Sequence, residues 1–305
     1  MCTPTEVPFA VDLIDVLIDP WRSGITTRAL LEILFIAIAA GPLGCWVVLF
    51  GLSYGAESLT HAMLPGLVIA ALAGLPLTLG AALGIAIAAP AVAMGGRLPT
   101  IGSDTAIAVV VTSLVGAGAL LALAPESPAG IRALLFGDVL GVSSGELLLT
   151  AGLAGLMLAA LRAAQGKLLM VGFDRTNAPA FGASPRAADT LLLLLIGGFT
   201  IVAVQALGTL LVLAMLVGPA ATARLVTHRL GSMMGLATAI AAGSGAAGLY
   251  LSYYADTAAG ASIAAVVAAV HIAAVAGLRL SEAYSKAHLK DHSEARPVTG
   301  LEAAP

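Results

Sequence analysis

Glu57 and His61 stand four residues apart at the head of an apolar segment, ESLTHAMLPGLVIAALAG, in a chain with only 10% charged residues. Residues at i and i+4 of a helix share one face, with Cβ atoms roughly 6 Å apart, so a carboxylate and an imidazole at this spacing could converge on one small cation. Pro65 follows His61 by four residues and has no N–H, so the His61 carbonyl is predicted to lack its usual helical partner and to offer a third ligand atom. Such groups in a low-dielectric setting are the chemistry of an ion or proton path. A competing reading puts Glu57 in headgroup water and His61 in an interhelical hydrogen bond, and spacing alone leaves both open.

The elements that would hold these residues are membrane helices. Of 305 residues 59% are hydrophobic, and mean hydropathy is +1.02, whereas soluble domains carry roughly 25% charged residues. The expected fold class is therefore all-α, a polytopic membrane protein of eight or nine transmembrane helices. Apolar stretches of spanning length lie near 28–50, 57–73, 77–95, 104–124, 143–163, 189–204, 208–226, 232–253 and 258–279. The count turns on 189–226, where Gln205, Gly208 and Pro219 interrupt the run. That stretch is read either as two short spans or as one span with a re-entrant piece. The 35 glycines suit close helix packing in lipid.

Three regions follow from this reading: an N-terminal segment 1–27, a transmembrane unit 28–280, and a hydrophilic tail 281–305 expected to be unstructured. The acidic N-terminus, MCTPTEVPFAVDLIDVLIDPW, has no basic residue; it is not a signal peptide and is read as an amphipathic segment on the lipid surface. Basic residues in 164–188, in the turn from Arg224 to Arg229 and after Arg279 place those loops in the cytoplasm. The block 124–142 and the loop around Asp256 then face outside, and the side of the N-terminus stays open. A net charge of −3 gives no reason for a nucleic-acid partner, and Cys2 and Cys45 have neither disulfide nor metal spacing. No G-x-x-x-x-G-K-[ST] phosphate loop is present, so energy must come from a partner or a gradient.

Other polar residues are weaker candidates for metal. Asp138 and Asp256 are expected near the outer mouth, where carboxylates attract a divalent cation, although loop acids are ordinarily just solvated. His271, in mid-span, is read first as an interhelical hydrogen-bonding residue and second as a ligand or gate. Asp104 is expected to cap a helix start. Glu32 follows Arg28 by one turn and is expected to form an interfacial ion pair with it.

At this point the motifs carry a resemblance. AGPLGCWVVLFGLSYGAESLTHAMLPGLVIA (40–70), SDTAIAVV (103–110), LLFGDVLGVS (134–143), ALGTLLVLAMLVGPAATARLV (206–226) and YYADTAAGASIA (253–264) resemble, in order, segments of the permease subunits of bacterial ABC importers for zinc, manganese and iron. The chain departs from that pattern at Glu57, where Asp is usual, at Thr60, at Phe50 and Gly51 in place of an Arg pair, and at Ala258 in place of Pro. The resemblance implies a multi-pass protein of the inner membrane that is not an enzyme and holds no permanent cofactor. Its implied partners are a second copy of itself, two ABC ATPase subunits, an extracytoplasmic metal-binding protein and membrane lipid. In the loop MVGFDRTNAPAFGASPR (170–186), Asp174, Phe181 and Gly182 are implied as the ATPase coupling point. One imidazole favours zinc as the transported metal, with manganese and iron(II) as the other candidates. The alternative function is a proton-coupled secondary metal transporter, with Glu57 and His61 as its relay.

Overall fold

The computed structural model describes residues 19–95, 103–123 and 137–294, and every regular element among them is helical. In chain order these are α1 (Gly24–Leu49), α2 (Ser53–Ala62), α3 (Leu64–Leu72), α4 (Leu77–Gly95), α5 (Ser103–Ala122), α6 (Ser144–Phe173), α7 (Pro185–Val226), α8 (Leu230–Ala255) and α9 (Ala259–Glu294). Helix starts follow local chemistry. The Ser23 hydroxyl accepts the Thr26 N–H at 3.2 Å. At α6, Ser143 and Glu146 form a reciprocal capping box, with the Ser143 N–H donating to the Glu146 carboxylate at 2.8 Å. Pro185 occupies the first position of α7 behind the Ser184 cap, where its missing N–H costs nothing.

The central element is α1, which packs against α6, α7 and α8. It brings Ile33, Ile36, Leu43 and Trp46 into a core completed by Leu192, Ile196, Leu207 and Met215. Small residues permit the close crossings. Gly44 lies against the Leu216 carbonyl, and Gly66 of α3 lies against Gly80 and Gly84 of α4, so an added Cβ would collide with backbone at either crossing.

Contacts along α1 fix the direction of its neighbours. Glu32 meets Thr150 near the start of α6, and Phe50 meets Gly172 at its end, so α1 and α6 run parallel. The first part of α7 runs the other way: Gly198 lies against Met157 in the middle of α6, while Gln205, further along α7, lines a cavity with Glu146 and Leu149 near the start of α6. Its second part runs with α1 again: Gly44 lies on Leu216 and Ala220, and Gly245 lies between Ile33 and Met215. The chain therefore turns back inside α7, at Gly208, whose φ of 73° and ψ of 163° belong almost exclusively to glycine. Gly137, itself at φ 72°, backs directly onto this corner, and the Asp138 N–H donates to the Gln205 carbonyl at 3.4 Å. The stretch 189–226, expected to be interrupted, is thus two helical arms that meet in a kink at Gly208 and double back in direction.

Six helices among the described residues are long and apolar enough to cross a membrane: Gly24–Leu49, Ser53–Leu72, Ser144–Phe173, Pro185–Thr209, Leu230–Ala255 and Ala259–Ala283. Leu77–Ala88, Ala108–Ala122 and Leu211–Val226 are shorter apolar helices. Two sequence expectations are corrected. Glu32 does not pair with Arg28; it turns inward, is 1% exposed, and accepts from the Thr150 hydroxyl at 2.6 Å. Its face of α1 points at α6, whereas Arg28 is exposed. The tail is not unstructured from 281, because α9 continues to Glu294. No Gly or Pro interrupts residues 278–296, and Glu, Lys, Ala and Leu favour continuation. The N-terminal residues 1–18, Arg132 and the last residues 295–305 lie outside the described residues.

Candidate metal site and coupling loop

A tight turn presents α2. After α1 ends at Phe50, Gly51 adopts φ 67° and the Leu52 N–H bonds the Val47 carbonyl at 2.9 Å, launching α2 within three residues. The α2 face made by Ala56, Leu59, Thr60 and Ala62 is buried, and α2 packs on α7 and α5. The hydroxyls of Ser58 and Thr60 are satisfied by the carbonyls of Tyr54 and Ala56, both at 2.8 Å. Glu57 remains exposed and His61 half-buried. Because α2 is unbroken from Ser53 to Ala62, the two stand one turn apart on a common face.

The helix breaks just beyond them. Met63 separates α2 from α3, and Pro65 is the second residue of α3, where no helical N–H is required. The His61 carbonyl is denied its ordinary partner as expected, but it is not wholly free: the Met63 N–H turns onto it. The remaining metal candidates do not gather here. Asp138 caps a short 3-10 turn, Val139–Gly141, by accepting the Gly141 N–H at 3.0 Å. Asp256 is exposed at the left-handed C-cap of α8, with φ 51°. His271 of α9 has Nδ1 2.9 Å from the Thr222 hydroxyl of α7, a bond between two helices. Among the described residues, no three His, Cys, Asp or Glu side chains lie close enough to hold a bare ion. α5 opens at Ser103, but the Asp104 side chain lies outside the described residues.

The loop after α6 is ordered by its own polar groups. Asp174 accepts the backbone N–H groups of Thr176 and Asn177 at 3.0 and 3.1 Å and the Asn177 side-chain amide at 2.7 Å. These bonds, the Asn177 side chain first, hold the Asp174 carboxyl below its usual range. Arg175 pairs with Asp189 of α7, tying the loop to the next helix. A 3-10 turn, Ala178–Phe181, follows and is closed by Gly182 at φ 76°. Phe181 is left 75% exposed, and Phe173 at the end of α6 is 96% exposed. Sequence reasoning singled out Asp174, Phe181 and Gly182 but missed Glu32 as an inward-facing acid. The available signal was its position inside the unbroken apolar run LLEILFIAIAA.

Residues 23–277 match the ABC 3 transport family. The manganese transport system membrane protein MntC of Listeria innocua is 34% identical over 244 residues, covering 80% of this chain and 87% of the relative. The chelated iron transport system membrane protein YfeC of Yersinia pestis is 28% identical over 248 residues, covering 81% of this chain and 84% of that protein. Among solved structures, PsaBC from Streptococcus pneumoniae in complex with Fab superposes with a TM-score of 0.78 at 29% identity, covering 86% of this chain and 95% of that one.

Proposed function

Because the chain belongs to the ABC 3 transport family, as a multi-pass membrane permease subunit of the inner membrane and not itself an enzyme, we propose that it carries a divalent transition metal inward along a path lined by Glu57 and His61. The observation that carries this reading is the exposure of Glu57 on a helix otherwise set among apolar elements. A carboxylate turned toward lipid is costly, so such a face needs water or protein against it. A second copy of the chain, with its own Glu57 and His61, supplies that cover and the additional ligands that one chain lacks. Manganese comes first as the cargo and iron(II) second, from the relatives' named substrates; a carboxylate, an imidazole and water suit either ion. The preference for zinc rested on the single imidazole, and the named relatives add nothing to it.

Nine crossings fit the directions of the helices. The α2–α3 pair counts as one, the two arms of α7 as two, and the shorter α4 and α5 are completed as spans. The N-terminal end of α1 then lies outside, on the side of Asp138 and Asp256, and the Asp174–Gly182 loop lies in the cytoplasm. Labelling with a membrane-impermeant thiol reagent in a Cys2→Ser/Cys45→Ala background tests this: Ser23→Cys should react in intact cells, and Phe181→Cys only after the membrane is opened. The opposite pattern overturns the orientation. The transmembrane unit remains 28–280, flanked by the segments 1–27 and 281–305.

ATPase subunits dock at Phe181, at the end of the Asp174-ordered loop, and an extracytoplasmic protein delivers the metal from the other side. A gradient-driven secondary transporter is disfavoured by the family. Radioactive manganese uptake decides the central point. Glu57→Gln and His61→Ala should each abolish uptake at equal membrane abundance, since each removes a ligand without opening a core void. Near-normal uptake by either variant rejects the path.

A further inference from the structure

A groove of about 320 Å³ lies where α1, α6 and α8 meet, on helices other than the one that carries Glu57 and His61. Pro42 and Trp46 of α1, Leu158 and Leu161 of α6 and Met234 of α8 give it an apolar lining. Arg162 and Gln165 of α6 add a cation and an amide, and no acid is among its described lining residues. Helix crossings bound it at either end. Gly41 packs on Thr238 so closely that an added Cβ would meet backbone, which closes α1 on α8 one turn above Met234. Phe50 against Gly172 closes α1 on α6 at the other end, about 12 Å along α1 from Pro42.

Depth gives the polar end of the groove its meaning. α6 runs for 30 residues, about 45 Å, against a hydrocarbon layer of about 30 Å. Thr150 is the only polar side chain from Leu147 to Leu161, and Arg162 comes about 24 Å beyond Glu146. On the orientation proposed above, Arg162 therefore stands at the cytoplasmic edge of the hydrocarbon. Leu158 lies one turn deeper, and Gln165 about one turn nearer the cytoplasm. Arg162 is exposed and has no ion pair or hydrogen bond among the described residues. Arg229, exposed at the start of α8 five residues before Met234, adds a second cation toward the same end.

A guanidinium at this depth extends toward the headgroups and takes an anion there. Basic groups above apolar clefts on the cytoplasmic side favour headgroups that carry net negative charge. A phospholipid meets both halves of the groove at once, because its phosphate and its acyl chain belong to one molecule. We propose that the groove binds one anionic phospholipid of the cytoplasmic leaflet, with its phosphate on the Arg162 guanidinium and an acyl chain along Leu158, Leu161 and Met234. The choice of leaflet rests on the orientation in the transport reading; the binding itself does not.

The test is a titration of the full-length chain in detergent with dioleoyl phosphatidylglycerol or dioleoyl phosphatidylcholine, with bound lipid counted by native mass spectrometry. One phosphatidylglycerol per chain should bind roughly tenfold tighter than phosphatidylcholine. Arg162→Gln should erase that preference, whereas Arg162→Lys keeps the charge and should retain most of it. Arg186→Gln, which removes an exposed cation at the start of α7, should change nothing. Leu158→Trp fills the groove and should weaken both lipids. Chainless glycerophosphoglycerol should not compete. Equal binding of the two lipids, an unchanged preference in Arg162→Gln, the same loss in Arg186→Gln, or competition by the chainless headgroup each overturns the proposal. Disulfide crosslinking between copies that carry Leu158→Cys in the Cys2→Ser/Cys45→Ala background would place a second chain in the groove and overturn it as well. Labelling of Phe181→Cys in intact cells would reject the orientation and the leaflet, while the lipid titration would read the same.

Discussion

Gly208 should be among the least replaceable residues of this chain. Its φ of 73° and ψ of 163° lie in a region that a side chain adopts only at a cost of about 1–3 kcal/mol. The strain cannot easily relax, because Gly137 packs on the same corner and the Asp138 N–H bonds the Gln205 carbonyl just before it. One kcal/mol shifts melting by about 2–4 °C in a domain of 150–250 residues, so Gly208→Ala should lower the melting temperature by roughly 2–12 °C. The control is Gly152→Ala, which adds the same methyl group at an exposed position within α6 with nothing nearby. There Ala relieves the chain entropy of Gly and should stabilise by about 0.5–1 kcal/mol. The assay is thermal unfolding of the detergent-solubilised chain, followed by size-exclusion of the soluble fraction. If Gly208→Ala melts at or above the Gly152→Ala control, the turn at Gly208 is not the strained corner described, and the reversal of α7 must be built elsewhere.

Phe181→Asp should leave the melting temperature of the isolated chain within experimental spread, since the ring is 75% exposed, while removing ATPase co-purification by a hot-spot loss of ~2 kcal/mol or more. Retained co-purification with metal-stimulated hydrolysis would move the docking point to the basic turn from Arg224 to Arg229. The Asp174 loop carries a pH dependence of defined sign. Its carboxyl is held below the ordinary range by Asn177, so its contribution is complete above about pH 3.9 and disappears as pH falls through the lowered folded value. Limited proteolysis of the loop should accelerate only below that pH in the wild type, and at neutral pH in Asp174→Ala. Equal cleavage of the variant and the wild type at neutral pH would show that Asp174 does not order the loop.

Helix positions were legible because apolar runs of spanning length leave few alternatives in a chain with 10% charged residues. The expected spans 28–50, 77–95, 104–124 and 232–253 each fall within a few residues of α1, α4, α5 and α8. That Glu57 and His61 share one helical face was legible for the same reason, since i and i+4 on one helix need no tertiary information. What spacing cannot carry is the rotation of a helix about its axis. Glu32 is also four residues from Arg28, an equally good pair on a helical wheel, yet α6 draws it inward toward a hydroxyl 118 residues away. The doubling back at Gly208 was visible only as an interruption, because a glycine marks permission for an unusual backbone conformation without stating which one is used.

Glu32 and Glu57 pose the same problem with opposite outcomes. Both are carboxylates on apolar helices, and neither can be left facing hydrocarbon without a cost of several kcal/mol. Glu32 is answered within one chain, by burial against α6 and the Thr150 hydroxyl on one oxygen. Glu57 has no such answer: its helix buries Ala56, Leu59 and Thr60 instead and leaves the acid outside. Substituting Glu32 should therefore register in the stability of a single chain; on the proposal that a second copy covers Glu57, substituting Glu57 should leave that stability unchanged.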